Sequence, residues 1–170
     1  VMLGLFIIIY IYILMTEIKG IAVFQNKLKG YVSFIQKKNS KEVRVNGMIS
    51  GLKKGKHGIH IHTYENLLSV DCTSCGGHFN PFKKTHGGRY DINSHAGDLG
   101  NITANEKGIA KFRFVLTNKI TMKGKHSIFG RSIVIHEDED DLGKGGHSDS
   151  LTTGHAGGRI DCAVIGIMKD

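Results

Sequence analysis

Short apolar segments alternate with turns along most of the chain from Gly20 onward. In one segment, Val43, Val45 and Ile49 fall on one face of an extended backbone, and Arg44 falls on the other. Side chains that alternate between two faces are the signature of a half-buried β-strand. The pattern therefore predicts strands rather than helices.

Segments of this kind recur along the chain and are separated by turns rich in Gly and Asn. The eight predicted strands are 21–25, 30–36, 42–50, 57–62, 99–104, 110–116, 131–136 and 162–168. No helical stripe of ten or more residues follows the apolar N-terminal segment. Eight short strands with such turns are typical of an antiparallel sandwich or barrel, so we predict an all-β fold.

Two long connections, 63–98 and 137–161, interrupt this regular pattern. Loops longer than about 12–15 residues are uncommon in a compact domain and tend to be functional. These two connections also hold most of the residues that can bind a metal. We therefore expect the functional site to be built by them.

The first fifteen residues form an uncharged and almost wholly apolar run. A membrane-spanning helix needs about 20 residues, so this run is short for a span. We interpret it as the apolar region of a secretory signal peptide; an uncleaved membrane anchor and a buried core element are the alternatives. The sequence then divides into a signal peptide or N-terminal apolar segment, 1–19, and one domain, 20–170. The mature protein is expected to be extracellular.

The chain is basic, with a formal net charge of +8. Its lysines occur in four clusters, at 37–41, 53–56, 83–84 and 119–125. Such clusters are either solvated faces or surfaces with affinity for polyanions at a cell surface. Aromatic residues do not interleave with the lysines as a stacking platform for bases requires, so we expect no nucleic-acid partner.

The chain has three cysteines, Cys72, Cys75 and Cys162. An export signal permits a disulfide, and the odd number leaves one thiol over. Cys72 and Cys75 form a C-x-x-C pair, but neither a βαβ context nor a second such pair accompanies it. We therefore do not interpret this pair as a redox or zinc motif.

Histidines are abundant, and several have the spacing of metal ligands. His60 and His62 lie two residues apart on a predicted strand, so their imidazoles point to the same face. His136 ends another predicted strand, and the first long connection contributes His78, His86, His95 and Asp98. Three imidazoles with a carboxylate suit tetrahedral Zn²⁺, whereas several imidazoles without a thiolate suit Cu(II). The set is compatible with two metals that share one imidazolate as a bridge.

Several blocks of sequence surround these positions. They are KHGIHIH (56–62), CTS (72–74), HFNP (78–81), HAGDLGN (95–101), GRSIVIHED (130–138), DDLGKGG (140–146) and the tail from 153 to 167. In this order they resemble the copper/zinc superoxide dismutase family over roughly residues 20–168. The resemblance implies an eight-stranded antiparallel Greek-key β-barrel or sandwich. It also implies an antioxidant enzyme that converts superoxide into O₂ and H₂O₂.

The resemblance further implies one copper and one zinc ion per subunit. Copper would be held by His60, His62, His78 and His136, and zinc by His78, His86, His95 and Asp98, with His78 as the bridge. Asp140 would link His60 to His86, which fits the need of a ligating imidazole for an outer acceptor. The alternative for Asp140 is a cap within the acidic segment 137–141.

Three further residues take roles from the same resemblance. Arg159 would lie beside the copper site and attract the superoxide anion; the alternative is that it only braces the loop near Cys162. Cys72 and Cys162 would form the intrasubunit disulfide, which leaves Cys75 free. His57, His126, His147 and His155 are interpreted as structural or exposed residues rather than ligands.

The segment 64–70 departs from the family pattern, because it is one residue longer than usual. This segment contributes to the family's dimer contact, so the expected homodimer would use an altered contact. Asn101 begins an N-x-T sequon whose occupancy the sequence leaves open.

Two rival functions are a non-catalytic metal-binding relative and a basic cell-surface module with structural metals. The first tends to lose a copper ligand or the arginine, whereas all seven ligands and Arg159 are present here.

Overall fold

The computed structural model describes residues 17–169, and within them the chain forms nine strands. The strands are β1 (Glu17–Phe24), β2 (Lys29–Lys37), β3 (Glu42–Ser50), β4 (Gly55–His62), β5 (Asp98–Ala104), β6 (Ile109–Thr117), β7 (Ser132–His136), β8 (Arg159–Val164) and β9 (Gly166–Ile167). A 3₁₀ turn (Thr73–Cys75) and a four-residue helix, α1 (Ser150–Thr153), lie in the connections. All strand pairs are antiparallel, so the predicted all-β fold class is confirmed.

The strands form one sheet in the order β8-β7-β4-β5-β6-β3-β2-β1-β9. The order β7-β4-β5-β6 is a Greek key, because the fourth strand returns to lie beside the first. β8 and β9 are separated only by Ile165, yet β8 pairs with β7 and β9 pairs with β1. One short segment thus joins both edges and nearly closes the barrel. The sequence predicted a single strand, 162–168, for this segment. The strand is divided because its two halves pair with the two opposite edges of the sheet.

The barrel interior receives the apolar face of each strand. Val43, Val45 and Ile49 are fully buried, as the alternation in β3 predicted. Gly47 lies on the same face and pairs with Phe112 of β6. A Cβ at Gly47 would lie 2.2 Å from the Phe112 ring, so the glycine leaves the space that this ring occupies.

The first strand begins earlier than the predicted strand 21–25. β1 begins at Glu17 and so includes residues 17–19. They pair with the end of β2, from Ile35 to Lys37. The predicted signal-peptide region, 1–15, lies outside the described residues. In the range 17–169 there is no helix with the length and hydropathy to cross a membrane.

The topology brings the two long connections together beside β4, which lies between β5 and β7. The first connection folds back along β4: Phe79 N donates to Ile61 O (2.8 Å), and Ile61 N donates to Gly97 O (2.9 Å). A Cβ at Gly97 would lie 2.2 Å from Ile61 O, so only glycine allows this close approach. The second connection, from β7 to β8, covers the other side of β4 through Gly58 N, which donates to Asp138 O (2.9 Å).

A disulfide between Cys72 and Cys162 ties the first connection to β8, as the resemblance implied. It joins residues 90 positions apart. Cys75 is buried and is a free thiol within the described chain. The disulfide therefore fixes the loop that carries three of the predicted ligands to the barrel wall.

Candidate metal centre

The seven predicted ligands lie together where the two long connections cross β4. They are His60 and His62 of β4, Asp98 at the start of β5, His136 at the end of β7, and His78, His86 and His95 of the first connection. Their side chains are almost completely buried; the most exposed, that of His95, is only 8% exposed. Residues that are far apart in sequence therefore form one enclosed cluster.

One part of the cluster is the four-histidine group, His60, His62, His78 and His136. One ring nitrogen from each lies within 4.8 Å of the others. The Nε2 atoms of His62 and His136 are 3.4 Å apart. An all-imidazole set of this kind suits Cu(II) among the common biological metals.

The other part is the Asp98 group, His78, His86, His95 and Asp98. Asp98 Oδ1 lies 2.9 Å from Nδ1 of His78, 3.0 Å from Nδ1 of His86 and 3.2 Å from Nδ1 of His95. The Nδ1 atoms of His78 and His95 are 3.4 Å apart. Ligands about 2.05 Å from a tetrahedral zinc ion are about 3.3 Å apart, so these four separations are close to the required spacing.

The two groups meet at His78. Its Nδ1 faces Asp98, and its Nε2 is the atom left for the four-histidine group. His60 also lies at the junction, with its ring centroid 4.0 Å from that of His78. One imidazole therefore faces both groups through its two nitrogens.

Three buried ring nitrogens in the cluster have no hydrogen-bond partner among the described residues: His60 Nδ1, His78 Nε2 and His86 Nδ1. His86 Nδ1 is close to Asp98 but lacks the geometry of a hydrogen bond. A buried polar atom without a partner costs about 1–3 kcal/mol. Bound metal ions would remove this cost at all three atoms, so the residues present fit a copper and a zinc ion.

Asp140 is buried and connects the two groups through hydrogen bonds to one histidine of each. Its Oδ2 accepts from His60 Nε2 and its Oδ1 accepts from His86 Nε2, each at 2.8 Å. These bonds leave the Nδ1 atoms of both rings free to ligate. The carboxylate thus fixes the tautomer and orientation of one ligand from each group.

Asn101 is a residue of the site that the sequence did not reveal. Its Nδ2 donates to Asp140 O and its Oδ1 accepts from Asp140 N, both at 2.8 Å. The sequon drew attention to this asparagine as a glycan acceptor, but both polar atoms of its side chain are used to hold Asp140. The structure therefore assigns Asn101 to the support of the site.

The four-histidine group is kept uncharged by its surroundings. Burial lowers the pKa of His60 and of His62, and the neighbouring histidines lower both further. Burial and the nearby His78 lower the pKa of His136 to about 3. These rings are therefore neutral at physiological pH, which is the form that ligates a metal.

The electrostatics of the Asp98 group are different. Burial lowers the pKa of His86, but the hydrogen bond to Asp140 and the adjacent Asp98 carboxylate outweigh this effect and raise it to about 9. Burial raises the pKa of Asp98, but hydrogen bonds from the surrounding histidines dominate and hold it far below its usual range. Without metal, a proton on His86 balances this buried negative charge, and a cation would take its place.

Arg159, at the start of β8, lies beside the four-histidine group. Its Nη1 donates to Cys72 O (2.6 Å) and its Nη2 donates to Gly76 O (2.8 Å). Its positive charge lowers the pKa of both His62 and His136. The predicted bracing of the loop is therefore present, and the guanidinium also acts electrostatically on the group.

The remaining histidines are not part of the cluster. His57 is buried, and its ring nitrogens bond to the carbonyls of His136 and Lys53 at 2.9 Å each. The exposed rings of His147 and His155 stack with centroids 3.7 Å apart. These residues have structural or surface positions.

A Greek-key barrel whose buried histidines offer two adjacent ligand sets is a fold that could hold a pair of metal ions. The copper/zinc superoxide dismutase (SODC) family matches residues 28–165. Superoxide dismutase [Cu-Zn] 5 of Dictyostelium discoideum is 49% identical over 142 residues, which are 82% of this chain and 91% of that protein. Superoxide dismutase [Cu-Zn] 2 of Mesembryanthemum crystallinum is 46% identical over 156 residues, 91% of this chain and 98% of that protein.

A solved structure, described as that of the clock protein EA4, has the same fold. It is 42% identical and superposes with a TM-score of 0.83, covering 91% of this chain and 97% of that chain. The chain belongs to the copper/zinc superoxide dismutase family. Its activity class is therefore that of an oxidoreductase acting on superoxide.

Proposed function

We propose that the four-histidine group holds copper, that the Asp98 group holds zinc, and that His78 is the shared ligand. When bound, copper exchanges one electron with each of two superoxide ions in turn, and zinc supplies a fixed positive charge. The observation that carries the assignment is the set of three buried imidazole nitrogens without partners, which lie at the two groups. All other nitrogens of these three rings face Asp98 or Asp140.

His78 is the residue placed to hold and return a proton. Its Nδ1 is fixed at Asp98, and its Nε2 faces the four-histidine group without a partner in the described chain. The formation of H₂O₂ needs protons at the position where the substrate is reduced. A ring held at one nitrogen can take a proton at the other and release it without leaving its position.

Arg159 is the residue placed to attract the substrate. Superoxide is a small anion, and the guanidinium keeps its charge at all physiological pH values. Hydrogen bonds to Cys72 O and Gly76 O fix its position, and the disulfide at Cys72 fixes that loop in turn. We therefore assign to Arg159 both the bracing of the loop and the guidance of the anion.

The test is a superoxide assay on protein loaded with one copper and one zinc ion per chain. We expect rapid removal of superoxide that cyanide abolishes, because cyanide is an anion that binds copper and would compete with the substrate. Metal-loaded protein without activity would instead support the rival function of a non-catalytic metal-binding relative.

We also propose that the protein forms a homodimer through the segment 64–70. Leu68 and Val70 of this segment are 89% and 87% exposed, which is unusual for aliphatic side chains. Leu68→Asp should give monomers in light scattering, because a charge would be buried in the contact. Ile92, 90% exposed in the first connection, offers a matched control in Ile92→Asp. An equal effect of both changes, or of neither, would contradict this contact.

We further propose that the protein is exported and associates with polyanions through its lysines. The support is the apolar run 1–15 and the net charge of +8. N-terminal sequencing of protein recovered outside the cell should show that the mature chain lacks residues 1–15. An intact N-terminus in a membrane extract would favour the anchored form.

A further inference from the structure

Two histidines that the buried cluster does not use lie together on the outer surface of the second long connection. The rings of His147 and His155 are exposed and stack with their centroids 3.7 Å apart and their planes 13° apart. The short helix α1 lies between them in sequence, so its two ends bring the two rings together. Two adjacent imidazoles offer metal-ligating nitrogens at one place on the surface.

The backbone at both ends of α1 fixes where the two rings start. His147 N donates to Ser150 Oγ (2.9 Å), and Ser150 N donates to His147 O (3.1 Å). His155 follows the helix in a left-handed conformation, with φ of 49°, which histidine adopts more readily than most residues. This conformation turns the chain back, so the ring of His155 meets that of His147.

The ring nitrogens of this pair are available to bind a cation. His155 Nδ1 donates to Asp149 Oδ1 (2.7 Å), which leaves Nε2 as the nitrogen with a free lone pair. The ring nitrogens of His147 form no hydrogen bond to any residue in the range 17–169. Asp149 therefore supports His155 in the same way that Asp140 supports two of the buried ligands.

The connection that carries the pair is acidic, although the chain as a whole is basic. Residues 137–158 include six acidic residues and one lysine, whereas the whole chain has a net charge of +8. An added Cβ at Gly145 would lie 2.2 Å from Asp141 Oδ2 and 2.9 Å from the ring of His147, so this carboxylate is close to the ring. The local field therefore attracts a cation to the two histidines.

We propose that His147 and His155 form a surface site for a Cu(II) ion, separate from the buried cluster and with water at the remaining positions. Imidazole nitrogens and oxygen ligands in a tetragonal arrangement suit Cu(II), and among divalent first-row ions such sites bind copper most tightly. Exposed side chains change rotamer on the picosecond-to-nanosecond timescale, so the rings can leave the stack and turn their nitrogens towards one ion. The site does not depend on the proposed dismutase function, because it uses none of the seven predicted ligands.

The test is isothermal titration of Cu²⁺ into protein that already holds one copper and one zinc ion per chain. We expect one further copper ion per chain to bind. His147→Asn and His155→Asn should each remove most of this binding, and asparagine also tolerates the left-handed backbone of position 155. Asp149→Asn should weaken the binding about tenfold, because the outer partner of a ligating histidine is worth about 10–100-fold in metal affinity. His126→Asn removes an imidazole elsewhere in the chain and is the matched control.

Three results would overturn the surface site: no further copper bound by the loaded protein, full binding in both histidine variants, or an equal loss of binding in His126→Asn. The contents of buried copper and zinc are measured on every sample, and the two histidine variants should keep both. Loss of a buried metal in these variants would contradict a separate site, because the pair would then support the buried cluster. Loaded protein that binds the further ion but does not remove superoxide would refute the catalytic proposal alone.

Discussion

Gly154 lies over the hydrogen bond that joins Asp140 to His86, in a left-handed backbone conformation with φ of 72°. A Cβ at this position would lie 2.2 Å from Asp140 Oδ1 and 2.4 Å from His86 Nε2. These two atoms are themselves 2.8 Å apart, so an alanine methyl group would enter the bond. Gly154→Ala therefore perturbs the support of a zinc ligand without changing any ligand.

The expected effect has two parts. The left-handed conformation costs an alanine about 1–2 kcal/mol in folding stability. In addition, the added methyl group would lie 2.2 Å from Asp140 Oδ1, whereas ordinary contact begins at 3.4 Å. Asp140 Oδ1 must therefore move away by about 1.2 Å. That movement breaks a charge-assisted hydrogen bond worth about 1.5–3 kcal/mol. Loss of such an outer partner lowers metal affinity by about 10–100-fold.

Gly146→Ala is the matched control, because Gly146 has φ of 75° and its added Cβ would meet nothing within 4 Å. Zinc affinity is measured by competition with a chromogenic chelator, and stability by thermal unfolding of the metal-free protein. Both variants should lose stability, but only Gly154→Ala should lose zinc affinity. If the two variants bound zinc equally well, the supporting role of Asp140 would be refuted.

Four further predictions follow from the site. Arg159→Ile should slow superoxide removal at every salt concentration, because salt screens a charge close to the site only little. Arg159→Lys should keep part of the rate, because it keeps the charge. Equal losses of rate and stability in both variants would show that the arginine only braces the loop. His78→Ala should reduce the binding of both metals, and His86→Ala mainly that of zinc; equal metal contents in elemental analysis would contradict the shared ligand. Reduction of the disulfide should destabilise the metal-free protein more than the loaded one, because bound metal adds its own stabilisation, and equal shifts in melting temperature would contradict this. Metal-free protein should lose stability as pH falls from about 6.5 towards about 3. In this range His136 binds a proton in the unfolded chain but not when it is buried in the folded protein. Unfolding midpoints that stay constant over this range would contradict the effect of burial.

The sequence predicted the strands well because their burial is local and repetitive. In β3, alternation alone identified which side chains enter the core. The division of the last predicted strand at Ile165 was not visible, because it depends on pairing with β1 across the closed barrel. The start of β1 at Glu17 was missed because residues 17–20 hold two charged residues and a glycine and only one apolar side chain.

The candidate site was visible from residue types and family motifs, and the structure brings those residues together. Its supports were not visible. Asn101 carries a sequon that suggested a surface role, whereas its contact partner, Asp140, lies 39 residues away. Gly154 is one of 23 glycines, and only the three-dimensional structure shows what its missing side chain avoids.

The shared imidazole is the central claim, and anomalous diffraction from crystals of the metal-loaded protein tests it most directly. Data collected on either side of the copper and zinc absorption edges distinguish the two ions. We predict a copper peak at bonding distance from His60, His62 and His136, and a zinc peak at bonding distance from His86, His95 and Asp98 with His78 between them. A single metal peak, or two peaks of which only one contacts His78, would contradict the account.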